Sequence, residues 1–176
     1  MGQTDHRAAY EALLRRYLQP LRRLAWSYEH EPAARDDLFQ EIATALWTAL
    51  PRFRGDSSER TWVYRVAHNT AISFATGGRR RREREQQGEA PGEPAVGAPQ
   101  EADAIDRQQR DRLWAAVQEL PVVDRHITVL YLDGLSATEI EGVTGISAGA
   151  IATRLTRVRQ KLAARFRAET AAYEEK

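Results

Sequence analysis

The chain of 176 residues has no cysteine, which excludes disulfides and thiolate metal sites. Its four histidines, His6, His30, His68 and His126, are scattered, and no two stand at metal-ligand spacing. No apolar run approaches the ~20 residues that span a bilayer, and the first residues lack the apolar core of a secretory signal. A cytoplasmic protein without direct membrane insertion is therefore expected. Carboxylate clusters, metal-ligand sets and nucleophile pairs are missing too, so no enzymatic activity and no cofactor is expected. Net charge is nearly absent: 26 basic residues face 25 acidic ones. Affinity for nucleic acid then has to come from charge segregated along the chain.

That segregation is present. Residues 79–82 are four consecutive arginines, whereas Glu83 to Asp106 holds seven acids against one arginine. Residues 77–103 are rich in Gly, Pro, Glu, Gln and Ala, with almost no large apolar side chain, a composition that predicts a disordered linker. Its relaxed span would be roughly 30 Å and its stretched limit roughly 90 Å. The expected fold class is all-α, with two small helical domains over residues 1–78 and 105–176 and a linker over 79–104.

In the first domain, Tyr10, Leu13, Leu14, Tyr17, Leu18, Leu21, Leu24 and Ala25 form a broad helical stripe. Pro20 within it predicts a kink or a break. Pro32 suits the first turn of a second helix, which runs to about Leu50. There Leu38, Phe39, Ile42, Ala45, Leu46 and Ala49 are the apolar set. Asp36, Asp37, Gln40, Glu41, Thr44 and Thr48 lie mostly on the other side. After a loop at Arg52 to Glu59, a third helix is predicted from Arg60 to about Ala75. One of its faces, Trp62, Arg65, Asn69 and Ile72, mixes an aromatic ring, a guanidinium and an amide. Those groups suit stacking on, and hydrogen bonding to, unpaired bases. A single tryptophan is nevertheless more often core.

The second domain opens on a helix with Ile105, Leu113, Ala116, Val117 and Leu120, ended by Pro121. Val122 to Leu132 follows, apolar nearly all round. The stretch from Ser136 to Phe166 then carries the sharpest signal. Ser136 and Glu139 have capping-box spacing, Gly145 marks a left-handed helix exit, and Ser147 caps the next helix. Ile151, Leu155, Val158, Leu162 and Phe166 make one buried stripe. Between Ser147 and Arg167 stand six basic residues, Arg154, Arg157, Arg159, Lys161, Arg165 and Arg167, and no acid. Solvated helix faces usually mix signs, so this pattern reads as a DNA-binding helix-turn-helix. A repressor or activator with a sensing or dimerising N-terminal domain would explain that half equally well. It would not explain the polar Asp37–Glu41 helix or the Trp62–Asn69 face.

Taken in order, these blocks resemble the extracytoplasmic-function group of bacterial RNA polymerase sigma factors. In the first domain the matching residues are Asp37-Leu38-Phe39-Gln40-Glu41 with Trp47, Phe53-Arg54-Gly55, and Thr61 through Asn69. In the second they are Leu120-Pro121, Leu132 through Ser136, Glu139-Ile140, Gly145-Ile146-Ser147, and Arg154-Leu155 with Arg157 and Arg159. The resemblance implies a transcription initiation factor whose partners are core RNA polymerase and promoter DNA. An anti-sigma factor is usual in this group and is a further candidate partner; no small-molecule substrate is implied. Asp37, Gln40 and Glu41 would dock on the polymerase. Ser57, Ser58, Arg60, Trp62, Arg65, His68 and Asn69 would recognise and open the −10 element. Ser147, Thr153, Arg154, Thr156, Arg157, Arg159 and Lys161 would serve the −35 element, with Thr153, Thr156 and Arg157 facing bases and Arg154, Arg159 and Lys161 nearer phosphates. The chain departs from the family pattern at Ala43, commonly a phenylalanine. It departs again at Ala150 and Ala152, where a threonine and a basic residue are common.

Overall fold

The computed structural model describes residues 3–29, 31–82 and 104–174. Among these every regular element is helical: seven α-helices and one 3₁₀ turn. The chain divides into two compact units, the first built on α1 to α3 and the second on α4, α5, α7 and most of α6.

In the first unit α1 (Gln3–Tyr28), α2 (Pro32–Ala49) and α3 (Glu59–Arg82) pack pairwise against one another. Leu21 and Leu24 of α1, Leu38, Ile42 and Leu46 of α2, and Val63, Tyr64, Ala67 and Ala71 of α3 are buried at their centre. Burial of each large apolar side chain contributes about 1.5–3 kcal/mol. That offsets the cost of about 3 kcal/mol of a proline inside a helix, and α1 runs unbroken through Pro20, where the sequence suggests a kink or break. Helix α2 starts as expected with Pro32 in its first turn. Glu31 is the cap, its carboxylate accepting from the Ala33 and Ala34 amides at 3.0 and 2.5 Å. Leu50–Arg52 is the 3₁₀ turn, and Gly55 (φ 81°) turns the following loop through a left-handed conformation. Helix α3 continues to Arg82, past its expected end near Ala75. Glycine costs about 1 kcal/mol against alanine in a helix, so Gly77-Gly78 are too weak to stop one already nucleated. The four arginines at 79–82 therefore stand on its last turn. The segment expected to be a disordered linker falls mainly on residues outside those described.

The second unit consists of α4 (Ala104–Gln118), α5 (Val122–Leu132), α6 (Ala137–Thr144) and α7 (Ala148–Glu174). Ala116, Val117, Leu120, Ile127, Leu130, Leu135, Ile140, Val143, Ile151, Leu155 and Val158 form its core. Helix α5 is less uniformly apolar than its pattern suggests, because Arg125 and His126 are buried with Ile127–Leu130. Arg125 donates to the Leu120 carbonyl at 3.1 Å, and burial lowers its pKa.

Candidate nucleic-acid interface

Helix α2 presents one face to solvent. Asp37, Gln40, Glu41, Thr44 and Thr48 are all exposed, as the helical period predicts once Leu38, Ile42 and Leu46 turn inward. The two threonines donate to their own helix, to the Gln40 and Thr44 carbonyls at 2.9 Å. The side chains of Asp37, Gln40 and Glu41 make no hydrogen bond or ion pair among the described residues. A half-exposed tryptophan, Trp47, named above with the Asp37–Glu41 block but given no docking role, borders this face. Trp47 lies beside His6 of α1, with ring centroids 4.1 Å apart, and edge-on to Tyr10. The His6 Nε2–H donates to the Trp47 carbonyl at 3.1 Å, so the ring is fixed from α1.

On α3 the structure sorts the expected DNA-facing residues by exposure. Arg65 and Asn69 are exposed on one line with Ile72. Trp62 is 8% exposed, with its ring 4.9 Å from that of Phe53. His68 is also in the core, where its Nδ1 is hydrogen-bonded to Tyr28 Oη. Burial lowers the His68 pKa and raises that of Tyr28. Both rings belong to the stripe that turns inward with Val63, Tyr64, Ala67 and Ala71, whereas the sequence pattern places Trp62 on the line of Arg65 and Asn69 and the resemblance counts His68 among the −10 contacts. Ser58 caps α3, accepting from the Thr61 amide at 3.1 Å, which gives that hydroxyl a structural task. Ser57 and Arg60 are half-buried at the same helix start.

In the second unit the helix-turn-helix forms as its punctuation predicts. The Glu139 amide donates to Ser136 Oγ at 3.2 Å while the Ser136 amide donates to Glu139 Oε2 at 2.8 Å. Gly145 takes φ 73° at the exit of α6, and Ser147 Oγ accepts from the Ala150 amide at 3.4 Å. Glu141 adds a contact with no sequence signature: its carboxylate accepts from the Ala148 amide at 3.2 Å, linking α6 to the start of α7.

The outward line of α7 holds Thr153, Thr156 and Arg157, all exposed, with Lys161 one turn beyond Arg157. The threonine hydroxyls donate to the Gly149 and Ala152 carbonyls at 3.0 and 2.9 Å. What they offer a base edge is a methyl group and an acceptor. Arg154 is not a free cation, because its Nη1 is 2.7 Å from Asp124 Oδ1 of α5. Arg159 Nη2 is bonded to Tyr131 Oη, and its guanidinium carbon sits 4.9 Å from that ring's centroid.

The chain matches two family descriptions, Sigma-70 region 2 over residues 13–83 and Sigma-70 region 4 over residues 110–162. It is 32% identical over 134 residues to the ECF RNA polymerase sigma-E factor of Escherichia coli, covering 72% of this chain and 70% of the relative. The chain belongs to the ECF RNA polymerase sigma factors. As such it is a transcription initiation factor acting with core RNA polymerase at promoter DNA. Region 2 coincides with the unit carrying the α2 and α3 faces, and region 4 with the helix-turn-helix. It is also 29% identical over 171 residues to the RNA polymerase sigma-H factor of Pseudomonas aeruginosa, covering 91% of this chain and 87% of that one. Two solved structures share the fold. One is CnrH in complex with the cytosolic domain of CnrY (TM-score 0.62, 24% identity, covering 92% of this chain and 90% of that one). The other is the sigma factor RpoE in complex with the anti-sigma factor NepR from Bartonella quintana (TM-score 0.65, 22% identity, 88% and 94%). Among the described residues no helix is long and apolar enough to cross a membrane.

Proposed function

We propose that this sigma factor docks on core polymerase through Asp37, Gln40 and Glu41, with Trp47 at the edge of that surface. The observation that carries the assignment is an exposed polar face whose three key side chains have no hydrogen bond or ion pair among the described residues. Such a face has no internal hydrogen bond or ion pair to break and is available to a partner. Promoter opening at the −10 element falls to Arg65 and Asn69, beside the Ser57–Arg60 loop, with Trp62 and His68 shaping the helix from within. At the −35 element Thr153, Thr156 and Arg157 read base edges. Ser147, Arg159 and Lys161 meet phosphates, and Arg154 positions α7 on α5. The domains of this reading are residues 1–78 and 105–176, connected through 79–104.

The protein works without catalysis of its own, in the cytoplasm, where polymerase and DNA are. The fold shared with a sigma factor captured in complex with an anti-sigma factor supports an anti-sigma factor as a further partner. Run-off transcription with purified core polymerase tests the whole reading. Wild-type protein should direct initiation from a defined promoter, and Asp37→Ala with Gln40→Ala should abolish both core binding and transcripts. A double mutant that binds core with unchanged affinity would overturn the docking assignment.

A further inference from the structure

We propose that Tyr131 and Arg159 together form one phosphate-binding notch, which makes Tyr131 a DNA-backbone contact at the −35 element. The proposal rests on the reading of α7 as the −35 helix and extends it to a residue of α5.

Three arginines of α7 reach back to α5 or to the turn after α4, and their partners differ in charge. Arg154 meets the Asp124 carboxylate at 2.7 Å. Arg165 is held by both oxygens of Glu119, Nη2 to Oε1 at 3.0 Å. A carboxylate neutralises the guanidinium it holds, so both charges are largely spent within the protein. Arg159 is held by a phenol instead. Its side chain is oriented by a hydrogen bond and by the ring face, yet its positive charge is uncompensated.

The hydrogen bond also fixes what Tyr131 can offer. A guanidinium only donates, so the phenol oxygen is the acceptor and its own O–H is not used by Arg159. Among the described residues that hydroxyl has no other partner. Both side chains are exposed, Tyr131 by 38%. Two donors from different helices, one of them charged, therefore lie in contact at the surface, in reach of a single anionic oxygen. Orientation in advance removes part of the entropy cost of gripping it.

Helix register explains why a grip is needed there. Residues two apart are about 200° apart around a helix, so Arg159 lies on the flank opposite Arg157 and Lys161. A helix seated in the major groove has a phosphate strand on each side. From 147 to 166, Arg159 is the sole basic residue on its flank, and the notch serves the strand that Lys161 does not meet.

The test uses the full chain bound to core polymerase on a promoter from which it initiates. Tyr131→Phe keeps the ring and removes only the hydroxyl, and its melting curve should match wild type. It should weaken promoter binding about tenfold, the size of one hydrogen bond to a charged group. The loss should be equal for all −35 sequences and leave the salt slope unchanged. Arg159→Ala should cost more and lower the slope by about one. The double mutant should be no weaker than Arg159→Ala alone, because both groups hold one phosphate. Replacing −35 phosphates singly by neutral methylphosphonates should reveal one position that weakens wild type most, Tyr131→Phe less and Arg159→Ala not at all. Inorganic phosphate at matched ionic strength should not compete; strong competition would assign the notch to a free anion and overturn the DNA contact. Binding by Tyr131→Phe within about twofold of wild type overturns the proposal as well. If wild-type binding shows no dependence on the −35 sequence, the reading of α7 itself has failed. If that dependence is present and Tyr131→Phe is silent, only the notch has.

Discussion

Trp62→Ala separates a tryptophan that builds the −10 surface from one that stacks on DNA. The ring is 8% exposed and packs on Phe53 at 4.9 Å, so its removal leaves a cavity between the loop and α3. Truncations of this kind cost about 3–5 kcal/mol. In a domain of this size each kcal/mol moves the midpoint by about 4–8 °C, which puts the expected fall at about 12 °C or more. Asn69→Ala, on the exposed line one turn from Arg65, should cost less than about 0.5 kcal/mol. Far-UV circular dichroism melts of the full chain measure both. Promoter opening is then followed with a fluorescent base at the −10 element, on paired DNA and on DNA already opened by mismatches. Asn69→Ala should slow opening on paired DNA and recover on opened DNA. Trp62→Ala should fail on both in proportion to its unfolded fraction. A Trp62→Ala protein that melts within about 2 °C of wild type but cannot open paired DNA would refute this reasoning. The ring would then leave Phe53 to meet bases in the working complex.

Asp37→Ala with Gln40→Ala should remove core binding, measured by co-purification, with a stability change below about 0.5 kcal/mol. Arg157→Ala should relax base preference at one −35 position, where a bidentate arginine contributes about 1–3 kcal/mol of discrimination. Lys161→Ala should weaken all sequences alike and lower the salt slope by about one; a library of −35 variants bound by the holoenzyme distinguishes the two. His68 is buried and its pKa is lowered, so the unfolded chain binds its proton more readily. Stability should therefore fall as pH drops below the unfolded-state value near 6.5 and stop falling below the folded one. In melts across that range, His68→Gln should flatten the dependence.

The helix-turn-helix was legible almost residue by residue because its signals are local. A capping box, a left-handed glycine and an N-cap serine act within a few residues of themselves, and Ser136, Gly145 and Ser147 adopt the geometry their types imply. The exposed face of α2 was legible for the same reason, since period alone separates Gln40 from Ile42. What escaped depends on partners distant in sequence. Nothing near Trp62 announces Phe53, and nothing near His68 announces Tyr28, forty residues earlier. The pairing of Arg154 with Asp124 is equally remote. A helix end misled at Gly77-Gly78, where the breaker residues were outweighed by an already formed helix, and at Pro20 the packed face kept α1 free of the break that was one of the two expectations there.

The distribution of arginine partners also bears on how strongly region 4 can hold DNA alone. Six basic residues on α7 would suggest as many phosphate contacts, but Asp124 and Glu119 occupy Arg154 and Arg165. Arg157, Arg159, Lys161 and Arg167 remain without carboxylate partners among the described residues. With Arg157 proposed for a base edge, three of the six are left for phosphates, and at a slope of about −0.9 per neutralised phosphate the sequence-blind affinity is expected to be correspondingly small. Ala150 and Ala152 add no long side chains near the start of the helix. A region 4 of this kind is expected to bind non-specific DNA weakly and to depend on a few base contacts. On the proposed reading such a reader suits a factor that acts through polymerase, with the −10 contacts and the core enzyme expected to supply affinity and α7 the choice of site.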